Sequence, residues 1–510
     1  MQRRLSVSAP SGRLTGIVGA ALLTTTLLAT TSLTSSPARA EGKPEMSADA
    51  KPSGHTKSAF KPDPRYSSKD YDPNQQIQIY GGKTNIEDLP FQKHEQRPLV
   101  ELGQKLYVEG PLAPNYDWFG RKNLASPAFS IFGDWRTAVA YNDNGPGKKV
   151  GQIATRLNLE TDLEITSTER LHALFRPLDR NGTFTHQDFF GPDQKGGAFP
   201  LNGDVKTLFF EGDLGNMIAG ATDKYQSFNL PFSVGLVPLI MQNGVWFNSA
   251  ITGGAFSITA KNSPELGISN MDLTVFGGFD KVIDRQVYGA AAFVEANEGY
   301  WEWGVGGIND DRVFAPSSFQ NATIAFTKRY GGWLSNSVRI VGTVGDDPKA
   351  TQKRTKDGII VLLENSLVSP KPLVLVPYLN MFAGFGRPQS LLRNADAGGI
   401  LFNTGITFET DGLTGFPKMD DTGQDTYGGA IGLEYLFDFE QQIVVEASTV
   451  QVINGNLEPG RTTKAPQYGV GARYQRNLTK AWLFRADVVY AVKEQDNNVA
   501  GIRTEVRLKF

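Results

Sequence analysis

The 510-residue sequence holds four histidines, His55, His94, His172 and His186, and no cysteine. Without thiols the chain builds no disulfide framework, thiolate zinc site, iron–sulfur cluster or thioether-bound haem. No HExxH, His-x-His or acidic calcium loop sets ligands at metal spacing. No GxSxG elbow, P-loop or GxGxxG fingerprint sits between a strand and a helix. The one loose pair that could move a proton is His186 with Asp188, in a polar stretch. Two such residues in a loop are far more often solvated than catalytic, so the expectation is a chain without an active site, cofactor or metal.

What does recur is charge at alternate positions of apolar segments. The basic members are Arg136, Arg156, Arg176, Arg339, Arg473, Arg485, Arg503 and Arg507. The acidic ones are Asp134, Glu160, Asp162, Glu164, Glu434, Glu446, Asp487 and Glu505, and His172 stands between Arg170 and Arg176. Charges that alternate with apolar residues share one face of a strand. Most would be polar simply because that face is wet. Opposed ladders of charge also create a transverse field that sorts solutes by charge and dipole. Arg473, Arg485, Arg503 and Arg507 come from three consecutive segments and could form a basic ladder, with acids nearby to cancel part of it.

The segments that must position these charges read as β-strands. Ile502, Thr504, Val506, Leu508 and Phe510 alternate with Arg503, Glu505, Arg507 and Lys509. Before them Trp482, Phe484, Ala486, Val488 and Tyr490 face away from Arg485, Asp487 and Lys493, and Tyr468 to Tyr474 repeats the pattern. Far upstream, Ile153 to Ile165 alternates an apolar face with Ala154, Arg156, Asn158, Glu160, Asp162 and Glu164, and Leu171 to Arg176 follows after a short turn. Thirteen further strands are predicted near 129–141, 204–211, 214–222, 248–260, 270–280, 285–297, 299–309, 320–330, 335–345, 356–366, 372–385, 426–437 and 442–452. The total is eighteen, an even number, as expected when both ends of a single-chain barrel lie on one side of a membrane. Phe228 to Asn243 would be a nineteenth; its two prolines make it a loop here, one that could fold inward as a constriction. The alternative is that it is a strand and 214–222 is not.

Connections alternate in length. Arg476 to Lys480 is short and Ile453 to Pro466 long; the longest stretches, Asp179 to Gly203 and Gly386 to Asp425, fall on the long-loop side. Strand direction then puts Tyr435, Phe437, Tyr474 and Trp482 near one membrane interface and Tyr427, Tyr468 and Tyr490 near the other.

The beginning of the chain differs. Residues 1–40 read as an export signal: Arg3, Arg4 and Arg13, an apolar Leu14 to Leu33, then Ala38-Arg39-Ala40 before Glu41. Residues 41–125 read as a leader, disordered from Glu41 to Asn74, with ordered pieces such as Ile77 to Tyr80 and Leu99 to Tyr107. Its expected role is a periplasmic tail, with a partial plug or a partner-docking segment as the sharper alternative. Residues 126–510 carry the strands. After the signal no stretch reaches the ~20 apolar residues of a membrane helix, which is as compatible with a barrel as with a soluble protein. The formal charge of −2 argues against nucleic acid as a partner.

The alternating last strand closing on Phe510 resembles the C-terminal signature of Gram-negative outer-membrane barrels, and the strand pattern of 126–510 resembles substrate-selective porins of sixteen to eighteen strands. The resemblance implies an all-β, transmembrane antiparallel barrel in the cell outer membrane, with short periplasmic turns and long extracellular loops. It implies passive diffusion of small hydrophilic solutes through a mixed-charge lumen, with Phe510 as a signal to the outer-membrane insertion machinery. Lipid bilayer and lipopolysaccharide are the implied surroundings, and a homo-oligomer is compatible with it. The rivals are a plugged barrel serving as surface anchor or partner-docking protein, and a barrel hydrolase built on His186.

Overall fold

In the computed structural model the described residues are 98–103, 115–180, 182–280, 285–296, 298–310, 318–345, 357–368, 374–393, 398–402, 404–405, 412–437, 440–453 and 463–510. The export signal, the 41–74 leader and Ile77 to Tyr80 lie outside them.

Eighteen strands follow one another around a closed antiparallel barrel. They are β1 (Ala125–Asp143), β2 (Lys149–Thr166), β3 (Arg170–Phe175), β4 (Val205–Asp213), β5 (Pro231–Met241), β6 (Phe247–Ser263), β7 (Ile268–Asp280), β8 (Gln286–Ala296) and β9 (Gly299–Asn309). The second half is β10 (Phe319–Tyr330), β11 (Leu334–Gly345), β12 (Gly358–Leu367), β13 (Leu375–Gly386), β14 (Thr426–Leu436), β15 (Gln441–Val452), β16 (Gln467–Asn477), β17 (Trp482–Lys493) and β18 (Val499–Lys509). Each pairs with the next, and β18 closes on β1 through Asp134↔Lys509 to Asp143↔Ala500. Past Lys509 the ladder continues, with the Gly133 amide donating to the Phe510 carbonyl at 2.8 Å and the Phe510 amide to the Gly133 carbonyl at 3.1 Å.

The alternation read from sequence sorts the two faces. Val139, Ile153, Ile324, Ile340, Ile431, Val445, Val470, Val488 and Ile502 are exposed on the outside, while the charged residues between them point the other way. An apolar outer wall is bracketed by exposed aromatics. Tyr141, Phe279, Tyr288, Phe385, Tyr427, Tyr468 and Tyr490 ring the end that carries the long loops. Tyr300, Tyr330, Trp333, Tyr435, Phe437 and Trp482 ring the end with the short turns. On one strand the rings are about eight residues apart, roughly 20 Å along the axis at ~3.3 Å rise and ~40° tilt, close to the apolar band of outer-membrane barrels. Among the described residues no helix is long and apolar enough to cross a membrane. The architecture is that of a transmembrane β-barrel.

Two predicted elements exchange places. Leu214–Thr222, read as a strand, is an α-helix (α1); Pro231–Met241, read within the inward loop 228–243, is β5. Asp213 starts α1 in extended conformation and its carboxylate accepts the Asn216 amide at 2.9 Å, an N-cap that the strand reading overlooks. Gly120 and Gly220 allow their backbones to touch, since a Cβ on Gly120 would lie 2.1 Å from the Gly220 carbonyl oxygen. The prolines of β5 stand where they cost little: Pro231 is its first residue, and Pro238 lies past the last rung joining β5 to β4, Leu208↔Leu236. The even count survives because one strand replaces the other.

A short strand, Val100–Gly103, pairs with Ala128 to Ile131 of β1 and extends the wall at the turn end. Glu169, buried in the β2–β3 turn, fastens the neighbouring segment: it accepts from Asn123 Nδ2 at 2.7 Å and Thr168 Oγ1 at 2.8 Å, and also from the Thr166 hydroxyl.

Candidate functional site: the barrel interior

Eighteen strands ~4.8 Å apart and tilted by ~40° enclose a backbone radius of about 18 Å, too wide for side chains of the wall to fill. The interior must hold either water or other parts of the chain. Here it holds each, at opposite ends.

At the turn end the inner wall is charged, and water reaches Asp134, Arg136, Arg473 and Arg507 there. Asp134 pairs with Arg136 Nε at 2.6 Å and Arg507 Nε at 3.8 Å. Glu505 receives Arg507 at 3.2 Å and pairs with Arg503; Asp487 receives Arg473 Nε at 2.7 Å and Arg485 Nε at 2.8 Å. Five guanidinium groups thus share three carboxylates across β16, β17, β18 and β1. Farther round the wall the balance reverses. Arg339 stands between Glu364 at 3.1 Å and Glu302 at 3.8 Å, the Tyr378 hydroxyl donates to Glu446, and Glu434 lies on the face of β14 opposite the exposed Leu433 and Tyr435. On β2 and β3, Arg170 joins Asp162 at 3.4 Å while reaching Glu211 at 3.2 Å, and His172 Nε2 meets Glu160 at 3.4 Å.

Toward the loop end exposure vanishes. Along β18 the side chain of Arg507 is 24% exposed, whereas Glu505 and Arg503 are fully buried. The same change occurs from Asp134 to Ala138 on β1, Glu364 to Leu362 on β12 and Arg485 to Val489 on β17. The cause is the connection between β13 and β14. Its described residues fold into the barrel and reach walls on every side. Leu391 donates its amide to the Trp246 carbonyl at 2.8 Å, and Leu392–Arg393 pairs in parallel with Phe247 and Asn248. Asn321 Nδ2 donates to the Gln389 carbonyl at 2.7 Å, Asn380 Nδ2 to Thr404 at 2.8 Å, and Asn144 Nδ2 to Gly415 at 3.0 Å. The Asp420 amide donates to Gln467 Oε1 at 3.0 Å, and a Cβ on Gly501 would strike Pro417 and Phe416.

The seal is apolar. Leu391, Leu392, Ile400, Leu401 and Met419 join Val245, Trp246 and Phe247 in one buried cluster with the inner residues Ile308, Phe319, Val341, Ile360, Leu362, Phe382 and Val450 of the wall. Burying a large aliphatic or aromatic side chain is worth about 1.5–3 kcal/mol. Inner wall positions of this composition would be unfavourable against water, which is why the connection folds in. Trp246 is central: its ring lies over Gly304, where a Cβ would come within 2.7 Å of it, and Nε1 donates to Asn321 Oδ1 at 2.7 Å.

The seventeen residues singled out by sequence divide accordingly. Asp134, Arg136, Arg473, Arg485, Asp487, Arg503, Glu505 and Arg507 meet in the basic network; Glu160, Asp162 and His172 meet on β2 and β3; Arg339, Glu434 and Glu446 lie on the acidic side. Glu164 stays near the turn end, where Ser126 Oγ donates to it at 3.4 Å. Arg156 pairs with Asp179 at 3.6 Å below the first long connection, and Arg176 lies just past β3 at the start of that connection. Glu302 and Glu364 escaped notice because each is the single charged residue of its strand, and Tyr378 because its strand carries no charge. The inward segment is not 228–243 but comprises the described residues between 387 and 425; the scattered Leu, Ile, Phe and Met of that range were the available signal. His186 and Asp188 are engaged separately, the His186 ring with the Phe184 carbonyl at 2.8 Å and the Asp188 carboxylate with the Lys195 amide at 2.9 Å. Among the described residues no group of three or more His, Cys, Asp or Glu is placed to hold a metal.

No family model and no curated protein matches the sequence. Solved structures do. A BenF-like porin from Pseudomonas fluorescens Pf-5 is 12% identical, with 75% of this chain and 98% of that one covered and a TM-score of 0.48. Pseudomonas aeruginosa OpdK, solved with vanillate, is 12% identical over 74% and 98%, at 0.47. Wzi, a carbohydrate-binding β-barrel involved in group 1 capsule assembly in Escherichia coli, is 13% identical over 74% and 85%, at 0.42. These TM-scores lie below 0.5, and function is read from this chain's own geometry.

Proposed function

We propose that the chain is an outer-membrane channel of the porin type, placed with its loop end outward among lipid and lipopolysaccharide. Small hydrophilic solutes reach a mixed-charge vestibule from the turn end, and their passage is set by the inward β13–β14 segment. The observation that carries this reading is the axial division of one closed barrel into a water-accessible charged half and an apolar sealed half. Charged pairs at partial exposure along an inner wall are groups that a permeation path can use to sort solutes. Solutes would be sorted by the opposition of the arginine-rich β16–β1 wall to the acid-rich β9–β15 wall, with no covalent chemistry.

The apolar packing of the described inward residues favours one second reading, a plugged barrel that acts at the surface as an anchor or docking protein. Planar-bilayer recording decides between the two. Refolded protein, shown to be a closed barrel by heat-modifiable gel mobility, is expected to give stepwise conductance and a salt-gradient reversal potential away from zero. Replacing residues 388–424 by a short Gly-Ser linker is expected to raise the conductance several-fold. A folded parent chain that is silent, and conducts only after that replacement, would overturn the channel in favour of the plug.

A further inference from the structure

The charged groups of the two opposed inner walls are engaged with one another, but the stretch of wall between them keeps polar groups in reserve. It lies on the turn-end half of β3 to β7. Register sets Arg170, Glu211, Ser233 and Ala255 side by side there. Ser257 stands beside Thr274, with their hydroxyl oxygens 2.8 Å apart. These residues face inward, because the alternate residues Leu171, Val234, Phe256 and Ile258 are exposed on the lipid side. At the foot of this wall, α1 brings Asn216, the chain returning from α1 to β5 brings Asn229, and the β2–β3 turn brings Thr168. Together they bound an open recess of about 550 Å³, within the roughly 300–1,000 Å³ of small-molecule sites.

The charged members of the recess have partners. Arg170 is held by Glu211 at 3.2 Å and Asp162 at 3.4 Å, and the Asp213 carboxylate caps α1. The neutral members do not: among the described residues the side chains of Asn216, Asn229, Ser233 and Thr259 make no hydrogen bond, although all four border the same hollow. The Ser257–Thr274 contact uses one hydroxyl proton and leaves the other to donate. Each hydroxyl can donate once and accept twice, and each carboxamide does both from adjacent atoms. That mixture matches vicinal alcohols, which also donate and accept at neighbouring oxygens. Charge selects against the alternatives. One guanidinium stands against two carboxylates in the lining. An anion would find no free cation there, and a cation would have to displace Arg170 from Glu211 or undo the α1 cap.

We propose that this recess is a binding site for a neutral polyhydroxylated solute of about hexose size, held in the vestibule by Asn216, Asn229, Ser233 and Thr259. The inference names a substrate class for the channel and rests on that reading for the solute's way in. Leu239 and Ala255 add apolar surface for the C–H faces of such a solute. The site also gives α1 a use: the helix that replaces the expected strand at 214–222 sets Asn216 on the border of the hollow.

The test is saturation-transfer NMR on full-length protein refolded in a detergent without a sugar headgroup, titrated with glucose, gluconate and glucosamine. The three probes share a polyol skeleton and differ in charge. Saturable transfer to glucose is expected, with an apparent Kd at least about five-fold below that of either charged probe. Asn229→Leu and, independently, Thr259→Val, each with heat-modifiable mobility retained, are expected to weaken glucose binding at least about three-fold. Ser233→Phe, which fills the hollow, is expected to abolish it. A folded barrel that shows no saturable transfer to glucose, that prefers gluconate or glucosamine, or that binds glucose equally in all three variants overturns the site. Planar-bilayer conductance of the same preparations is read separately: conductance without glucose binding removes the site and leaves the channel, and glucose binding without conductance does the reverse.

Discussion

Trp246→Ala tests whether the apolar seal is a gate. The ring is fully buried between the inward segment and the wall, with Gly304 and Thr323 beneath it and Phe276 edge-on at 6.1 Å. Truncating a core tryptophan costs about 3–5 kcal/mol. The variant also strands Asn321 Oδ1, which loses its 2.7 Å donor, at about 1–3 kcal/mol for a buried unsatisfied acceptor. The barrel ladder is untouched, so the loss falls on the packed position of the segment. At about 1.4 kcal/mol per tenfold, even ~3 kcal/mol moves the closed-to-open ratio by roughly two powers of ten. Single-channel recording should therefore show open probability rising about a hundredfold, with unchanged heat-modifiable mobility. Trp301→Ala is the comparator, since Trp301 packs with Phe326 at 4.4 Å, away from the seal. A folded Trp246→Ala protein with the parent's open probability would refute the reasoning, because the core would then not hold the segment.

Other consequences are as direct. Gly304→Val inserts methyl groups where the Trp246 ring lies, so it should raise open probability in the same direction without removing the tryptophan. Glu505→Gln removes the buried carboxylate that Arg503 shares with Arg507 and should lower resistance to urea unfolding by up to about 3–5 kcal/mol, whereas the double variant Arg503→Met/Glu505→Leu should recover most of it. Glu169→Ala, which removes the Asn123 bond along with the turn bonds from Thr166 and Thr168, should loosen residues 115–124, seen as proteolytic nicking there several-fold faster while the barrel keeps its mobility.

The strands with one dry and one wet face were legible because a period of two is a local property. Ile502 to Lys509 or Ile153 to Glu164 declare their faces without knowing their neighbours. Parity and connection length then gave the count and the two aromatic rings. The exchange between 214–222 and 231–241 shows the limit of that logic. LGNMIAGAT alternates well enough for a strand, and only the Asp213 cap and the Gly120–Gly220 contact make it α1. Conversely, Pro238 seemed to forbid a strand because nothing in the sequence says that the wall beside it has no rung to lose.

The interior was decided by tertiary structure. Sequence placed arginines and carboxylates on one face of many strands, and the barrel brought Arg473, Arg485 and Asp487 together, as that face predicts. It could not place the seal, since 387–425 reads as a polar loop until Leu391, Leu401 and Met419 find Trp246, Ile360 and Val450 across the barrel. The reason is physical. Alternation is fixed by the pleat of each strand, whereas whether a wide interior fills with water or chain depends on apolar surface contributed by strands hundreds of residues apart, which exists only once the barrel has closed.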